Sequence, residues 1–272
     1  MTMELYTTLE SILTAPSTIE KIELFKHFYT AYLRGDVTRE SSSSIRIFTH
    51  PSYHNFCTVI DPKEIVKRQK LGGVRGQIQL LHSIAHIEYS AIDLALDAVY
   101  RFRDVGDEFN DDWLKVAEDE VRHFLMIEAL LKEFGSFYGE YPVHNGLFEA
   151  SLNTMSLLER MAVIPRYLEA NGLDATPLIV SKLEPLKANA MVGKIIQALQ
   201  VILDEEIDHV HRGDRWFRVA CERENIHPDV YFEIIERHYP QSFPRKVGIN
   251  CEARISAGFS ADELKRISLV LC

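Results

Sequence analysis

The feature that most constrains the fold of this chain is a four-residue pattern that occurs twice, with a glutamate and a histidine three positions apart. The two copies read Glu120-Val121-Arg122-His123 and Glu206-Ile207-Asp208-His209. Residues three apart in sequence lie on the same face of an α-helix. The pattern therefore predicts two helices that each present a carboxylate and an imidazole side by side.

Both copies interrupt a stripe of apolar residues with helical spacing. The first stripe contains Trp113, Val116, Ala117, Phe124, Ile127 and Leu131, and the second contains Ile195, Leu199, Ile202, Gly213, Trp216 and Ala220. Such stripes face a protein core, where an isolated carboxylate costs several kcal/mol unless a cation neutralises it. We expect divalent metal ions to be these cations. The competing interpretation is a pair of buried Glu–His ion pairs in an ordinary helix bundle.

Helical periodicity extends beyond the two stripes and predicts four long helices. They lie at about residues 77–103, 111–134, 147–171 and 186–223. A helical extension with an irregular segment (1–76) precedes the bundle (77–223), and a helix and arm (224–272) come after it, all within one structural unit. Two Glu-x-x-His helices with one glutamate from each of two further helices form the metal site of dinuclear carboxylate bundles. The sequence thus predicts an all-α fold built on a four-helix bundle.

The first helix should supply one of the two additional glutamates. Glu88 lies four residues after Ile84 and four before Ile92, inside the apolar stripe of that helix. His86 and Asp93 fall on another side of the helix and are expected at the surface or next to the ligands. Glu88 is therefore the predicted ligand.

The third helix offers two candidates, Glu159 and Glu169. Both can lie on the apolar side of the helix, so periodicity leaves the choice open. Pro165 between them should kink the helix and change the direction of its second half. Gly172 is predicted to end the helix. Whichever glutamate is not a ligand is expected at the surface or in an ion pair.

Charge and composition limit the environment and the partners of the chain. The formal net charge of −10 does not favour non-specific binding to nucleic acid. The four cysteines, Cys57, Cys221, Cys251 and Cys272, are scattered without a Cys-x-x-Cys pattern. No signal peptide is visible and no stretch reaches the about 18 apolar residues that a membrane span needs. We therefore expect a cytoplasmic protein that does not enter a membrane.

Four segments of the chain resemble an uncharacterised bacterial ferritin-like family, domain of unknown function family 455. They are residues 85–94 (AHIEYSAIDL), 120–123 (EVRH), 169–177 (EANGLDATP) and 204–209 (DEEIDH), and the similarity continues through 250–254 and 257–260. The Glu-Ala pattern at Glu169 is also similar to that of the tRNA-modifying diiron hydroxylases, and the pattern after His86 to that of the diiron quinone hydroxylases. This resemblance favours Glu169 over Glu159. The chain departs from the family with Asn171 in place of arginine and Asp93 in place of glutamate.

The resemblance implies a ferritin-like bundle that holds two metal ions. The predicted ligands are Glu88, Glu120, His123, Glu169, Glu206 and His209. We expect Glu120 and Glu206 to bridge or chelate the ions and each histidine to bind one. Iron is the expected metal, with manganese or zinc as alternatives. His86, Asp93, Asp119, Asp204 and Asp208 are candidates for hydrogen bonds to these ligands.

The expected function is that of an O2-dependent hydroxylase or oxidase. The organic substrate and the electron donor are not identified by the sequence, and a tRNA base stays open as a substrate although the net charge disfavours it. The alternative is a metal-binding or ferroxidase-like protein without an organic substrate. A third alternative is a structural bundle with a vestigial site, which six intact candidate ligands disfavour. The oligomeric state is open, and a dimer is compatible with the sequence.

Overall fold

The computed structural model describes residues 3–39, 44–66 and 69–270. These residues are mostly helical, in agreement with the all-α prediction. The helices are α1 (Leu5–Leu13), α2 (Thr18–Leu33), α3 (Val74–Arg101), α4 (Asp107–Glu133), α5 (Gly146–Asn153), α6 (Leu157–Val163), α7 (Ala170–Leu183), α8 (Ala190–Glu224), α9 (Val230–His238), α10 (Cys251–Ser256) and α11 (Ala261–Ile267). A π-helical segment, Ile164–Glu169, lies between α6 and α7. Two short strands, β1 (Met3–Glu4) and β2 (Val37–Thr38), pair in parallel.

The chain divides into two compact units, Met1–Phe148 and Glu149–Cys272, and the division falls within α5. Unit 1 contains α1 to α4, and unit 2 contains α6 to α11. Within the described ranges, no helix combines the length and the apolar character needed to cross a membrane. The boundaries predicted for the bundle, after residue 76 and after residue 223, stay a prediction.

In unit 1, α3 packs along α4, and α1 and α2 pack against this pair. Ser17 caps α2, since its hydroxyl accepts a hydrogen bond from the Glu20 N–H at 3.2 Å. Helix α4 begins earlier than predicted, with Asp107 and Glu108 in its first turn. These two carboxylates stabilise the positive end of the helix dipole.

The side chain of a buried lysine in α2 bonds to residues of two other helices of unit 1, α1 and α3. The fully buried Lys21 of α2 donates hydrogen bonds to the Ile12 carbonyl at 2.9 Å and the Leu13 carbonyl at 3.4 Å. Both carbonyls lie in the last turn of α1, where no following helical turn supplies donors four residues later. Lys21 also forms an ion pair with Asp93 of α3. Burial lowers the pKa of Lys21 and raises that of Asp93, while the attraction between the two charges opposes both shifts.

In unit 2, α8 packs against α6, α7 and the π-helical segment. The single helix predicted at about 147–171 is wrong in its first part, because the chain leaves the helix after Asn153, and α6, the π-helical segment and α7 then follow without a break from Leu157 to Leu183. Ser156 starts α6 by accepting a hydrogen bond from the Glu159 N–H at 3.1 Å. Pro165 has no N–H for the carbonyl four residues earlier, which favours the wider π-helical turn that includes it.

The predicted end of the third helix at Gly172 is also wrong. Helix α7 continues through Gly172 and Pro177 to Leu183. Pro177 cannot donate to the carbonyl of Leu173, and the side-chain amide of Asn250 donates to that carbonyl instead, at 3.2 Å. A side chain far along the sequence therefore compensates for the hydrogen bond that the proline removes.

The contact between Pro165 and α8 requires a glycine. A Cβ atom at Gly213 would lie 2.1 Å from the Pro165 Cβ and 2.4 Å from its Cγ. These distances are far shorter than any van der Waals contact. Gly213, which the sequence analysis placed in the apolar stripe of α8, thus allows the π-helical segment to lie close to that helix.

Candidate metal centre

Three of the predicted ligands form a buried cluster in unit 1. The Nδ1 atom of His123 lies 3.2 Å from Glu88 Oε2 and 3.5 Å from Glu120 Oε2. Glu88 comes from α3, and Glu120 and His123 come from one face of α4, as their spacing predicts. The residues are 4%, 0% and 0% exposed, respectively. Close packing of α3 on α4 brings the single glutamate to the Glu-x-x-His pair.

The electrostatics of this cluster favour a cation. Burial by itself lowers the pKa of His123, but hydrogen bonds and charges from Glu120 and Glu88 outweigh it and raise the pKa to about 11. Two carboxylates thus face one imidazole inside the buried cluster. The ligand atoms of the three residues lie within 4.8 Å of one another. A divalent cation among them would neutralise both carboxylates and satisfy all three donors at once.

Unit 2 carries the second pair on α8. His209 is fully buried, and its Nδ1 lies 3.8 Å from Oε2 of the largely buried Glu206. The apolar stripe around the pair is buried at Ile195, Leu199, Ile202, Trp216 and Ala220. Each of Glu88, Glu120, His123 and Glu206 offers a ligand atom that could hold a metal ion. The donor chemistry alone fixes neither the identity nor the number of the ions.

The two glutamates of the predicted third helix have different surroundings. Glu159 lies in the first turn of α6, and its carboxylate accepts a hydrogen bond from Arg237 Nη1 of α9 at 2.9 Å. Glu169 is half-buried at the last position of the π-helical segment. Segments of this kind are rare and often occur at functional sites. Glu159 thus forms an ion pair, and the choice of Glu169 over Glu159 as a ligand stays a prediction.

Comparison with known proteins places the chain among proteins of unknown activity. Residues 14–265 match the model of a family described as "Protein of unknown function (DUF455)". The chain belongs to the DUF455 family. An uncharacterised protein of Haemophilus influenzae is 38% identical over 215 residues, which cover 76% of this chain and 72% of that protein. No solved structure matches the chain.

The DUF455 match confirms the family resemblance that the motifs between residues 85 and 260 predict. The match covers the cluster in unit 1, the Glu206–His209 pair on α8 and most of the chain after α9. The further likeness to ferritin-like hydroxylases remains a hypothesis, because neither the family description nor the relative names such an activity.

Three of the four carboxylates expected near the ligands have cationic partners in this DUF455 chain. Asp93 pairs with Lys21, Asp119 with Lys115 and Arg122, and Asp208 with Arg212. Asp204 is exposed. A lysine or an arginine therefore balances the negative charge of each of these three paired carboxylates. The hydrogen bonds expected from the carboxylates to the ligands stay a prediction.

His86 belongs to an aromatic network that sequence patterns do not reveal. Its Nδ1 lies 2.8 Å from the Tyr138 hydroxyl and its Nε2 lies 2.9 Å from the His144 carbonyl. Burial lowers the pKa of His86 to about 4, so the ring is neutral near pH 7. A carbonyl only accepts, so Nε2 carries the proton and Tyr138 donates to Nδ1. Both ring nitrogens are therefore engaged, which accounts for His86 without a metal.

Proposed function

We propose that this DUF455 chain binds two divalent metal ions and uses them, with O2, to oxidise an organic substrate. The proposed ligands are Glu88, Glu120, His123, Glu169, Glu206 and His209. The observation that carries the proposal is the buried cluster of Glu88, Glu120 and His123. The same residue pattern on α8 supports a second ion. The proposal includes a ferritin-like four-helix bundle, in which four helical stretches each supply a ligand.

The residues fit two divalent ions in charge and in donor type. Four glutamates contribute four negative charges, and two divalent cations contribute four positive ones. Carboxylate and imidazole donors suit iron, manganese or zinc. Iron fits the proposed reaction, because two bound ferrous ions would supply two of the four electrons that O2 accepts and the organic substrate would supply the other two.

The protein's own contribution is to hold and shield the ligands. Glu120 and Glu206 would bridge or chelate the ions, and His123 and His209 would each bind one. The apolar neighbours of the first cluster, which include Ile92, Phe124 and Ile127, are buried and keep water from its carboxylates. A site with few water molecules strengthens the electrostatic interactions within it.

Metal analysis and an oxygen assay together test this function. Protein produced in iron- and manganese-replete medium without chelators is expected to contain about two ions per chain. The ferrous form is expected to consume O2 until its bound iron is oxidised. A content below about one ion per chain would contradict the proposal. Continued oxidation of excess Fe²⁺ by a cage-like oligomer would instead support the ferroxidase-like alternative.

A matched pair of variants tests the third-helix ligand. Glu169→Gln should weaken binding of one ion by at least about tenfold, since it removes a proposed ligand. Glu159→Gln should leave both ions bound, because the Glu159 carboxylate is already paired with Arg237. Metal content and Co²⁺ titration of the two variants provide the measurement. Loss of an ion in Glu159→Gln with full retention in Glu169→Gln would reverse the assignment.

A further inference from the structure

Residues 245–263, called here the C-terminal brace, hold the helix that begins directly after Glu169. Asp174 of α7 is buried and accepts hydrogen bonds from Arg254 Nε at 3.0 Å and Arg254 Nη2 at 2.7 Å. It also accepts from Arg245 Nη1 at 2.6 Å and from the Asn250 N–H at 2.9 Å. A carboxylate with four donors, two of them from one guanidinium fork, has a strongly defined orientation.

The brace also binds main-chain carbonyls next to Glu169. Arg254 Nη2 donates to the Ala170 carbonyl at 3.0 Å, immediately after Glu169. Asn250 donates to the Leu173 carbonyl, which has no helical donor because residue 177 is a proline. Because the π-helical segment and this proline leave α7 with fewer bonds of its own, side chains from outside determine its direction.

The brace fixes the residues before Glu169 as well. Arg166, three positions earlier, is fully buried, and its Nη2 donates to Glu263 Oε1 at 2.8 Å. Its Nε lies 2.8 Å from Asp214 Oδ1 of α8. The rings of Tyr231 and Phe259 lie 4.5 Å and 4.6 Å from the Arg166 guanidinium carbon, so cation–π contacts add to the ion pairs. Glu169 thus lies between two buried attachment points.

We propose that the C-terminal brace positions the Glu169 carboxylate for metal binding, with Arg254 and Asp174 as the positioning residues. This inference rests on the proposed function, in which Glu169 is a ligand. Metal ligands must be held within about 0.5 Å of their productive geometry. A glutamate at the end of a π-helical turn meets this requirement only if the turn itself is held. The brace provides that support through Arg254, which contacts both Asp174 and the carbonyl of Ala170.

Arg254→Lys tests the positioning role. Lysine keeps the positive charge but loses the guanidinium fork that serves Asp174 and Ala170 together. With Co²⁺ as the probe, we expect the weaker of the two ions to bind about 10–100-fold less tightly, with a changed visible absorption spectrum. Arg237→Lys is the matched control, because it alters the exposed ion pair with Glu159 in the same unit. Unchanged Co²⁺ affinities and spectrum in a folded Arg254→Lys protein would overturn the inference.

Hydrogen exchange of the metal-free chain separates failure of this inference from failure of the proposed function. Amides of residues 166–174 should exchange faster in Arg254→Lys than in the parent chain, whether or not metal binds. Unchanged exchange would overturn the brace alone, whereas a parent chain that binds no Co²⁺ would overturn the proposed function and the metal role of the brace with it.

If Arg254→Lys does not fold, Asn250→Ala replaces it, because that variant keeps both arginine contacts to Asp174. It should show the same changes to a smaller extent, and unaltered exchange and Co²⁺ binding would overturn the inference.

Discussion

The double variant Glu120→Ala, Glu206→Ala is expected to lose both metal ions. Each substitution removes a carboxylate from one Glu-x-x-His pair and leaves its histidine as a weak single donor. Loss of groups that only support a ligand already costs about 10–100-fold in metal affinity, so loss of the ligands themselves should cost more. The measurement is elemental analysis of the purified protein together with Co²⁺ titration.

A control that removes two other glutamates from the same helices makes this result specific. Glu128 of α4 is half-buried and forms an ion pair with the exposed Lys132 at 2.8 Å, and Glu222 of α8 is exposed. The variant Glu128→Ala, Glu222→Ala should keep the metal content of the parent chain. If the Glu120, Glu206 double variant still binds two ions, the ligand assignment is wrong. Loss of metal in both double variants would point to general destabilisation instead.

Lys21→Met should produce the largest loss of stability in unit 1. The substitution leaves the Asp93 carboxylate without its ion-pair partner and removes the donor to the Ile12 and Leu13 carbonyls. Removal of one partner from a buried ion pair costs about 3–5 kcal/mol. Urea unfolding followed by the fluorescence of Trp113, in a Trp216→Phe background, reports on unit 1 because these are the two tryptophans of the chain.

A second substitution distinguishes the charge effect from loss of packing. In Lys21→Met, Asp93→Asn the unpaired charge is gone, so the double variant should regain about 1–3 kcal/mol relative to Lys21→Met. Equal stability of the two variants would show that the charge of Asp93 does not matter. A loss below about 1 kcal/mol in Lys21→Met would contradict the buried ion pair itself.

The cluster in unit 1 could be predicted from sequence because spacing along regular helices determines it. Glu88 lies mid-stripe in α3, and Glu120 and His123 share a face of α4, so regular helices carry all three to the buried side. The positions of Glu206 and His209 on α8 are explained by the same rule. Helical period and the cost of a buried charge are sufficient for this part of the site.

The third helical stretch could not be predicted in the same way. Its course depends on the contact between Pro165 and Gly213, which are 48 positions apart. It also depends on hydrogen bonds that Asn250 and Arg254, near the end of the chain, donate to carbonyls of α7. A period of 3.6 residues does not hold through a π-helical turn, so a helical wheel drawn across it misplaces Glu169. This explains why periodicity left Glu159 and Glu169 unresolved.

Buried charged pairs were also beyond the sequence patterns. Lys21 and Asp93 are 72 positions apart, and Arg254 and Asp174 are 80 apart. Each of these residues looks like an ordinary surface charge when only its neighbours in sequence are considered. Their pairing depends on how separate helices meet, which the local pattern does not contain.

The C-terminal brace has a consequence for any attempt to shorten this chain. A version that ends near residue 223, after the last predicted bundle helix, would lack Arg245, Arg254 and Glu263. Arg166 would lose its glutamate partner, and Asp174 would lose all of its arginine and main-chain donors from the brace. Buried charges without partners cost several kcal/mol each, so such a fragment should be insoluble or readily cleaved by proteases. The π-helical segment and α7, which carry Arg166, Glu169 and Asp174, thus depend on the last part of the chain for their folded structure.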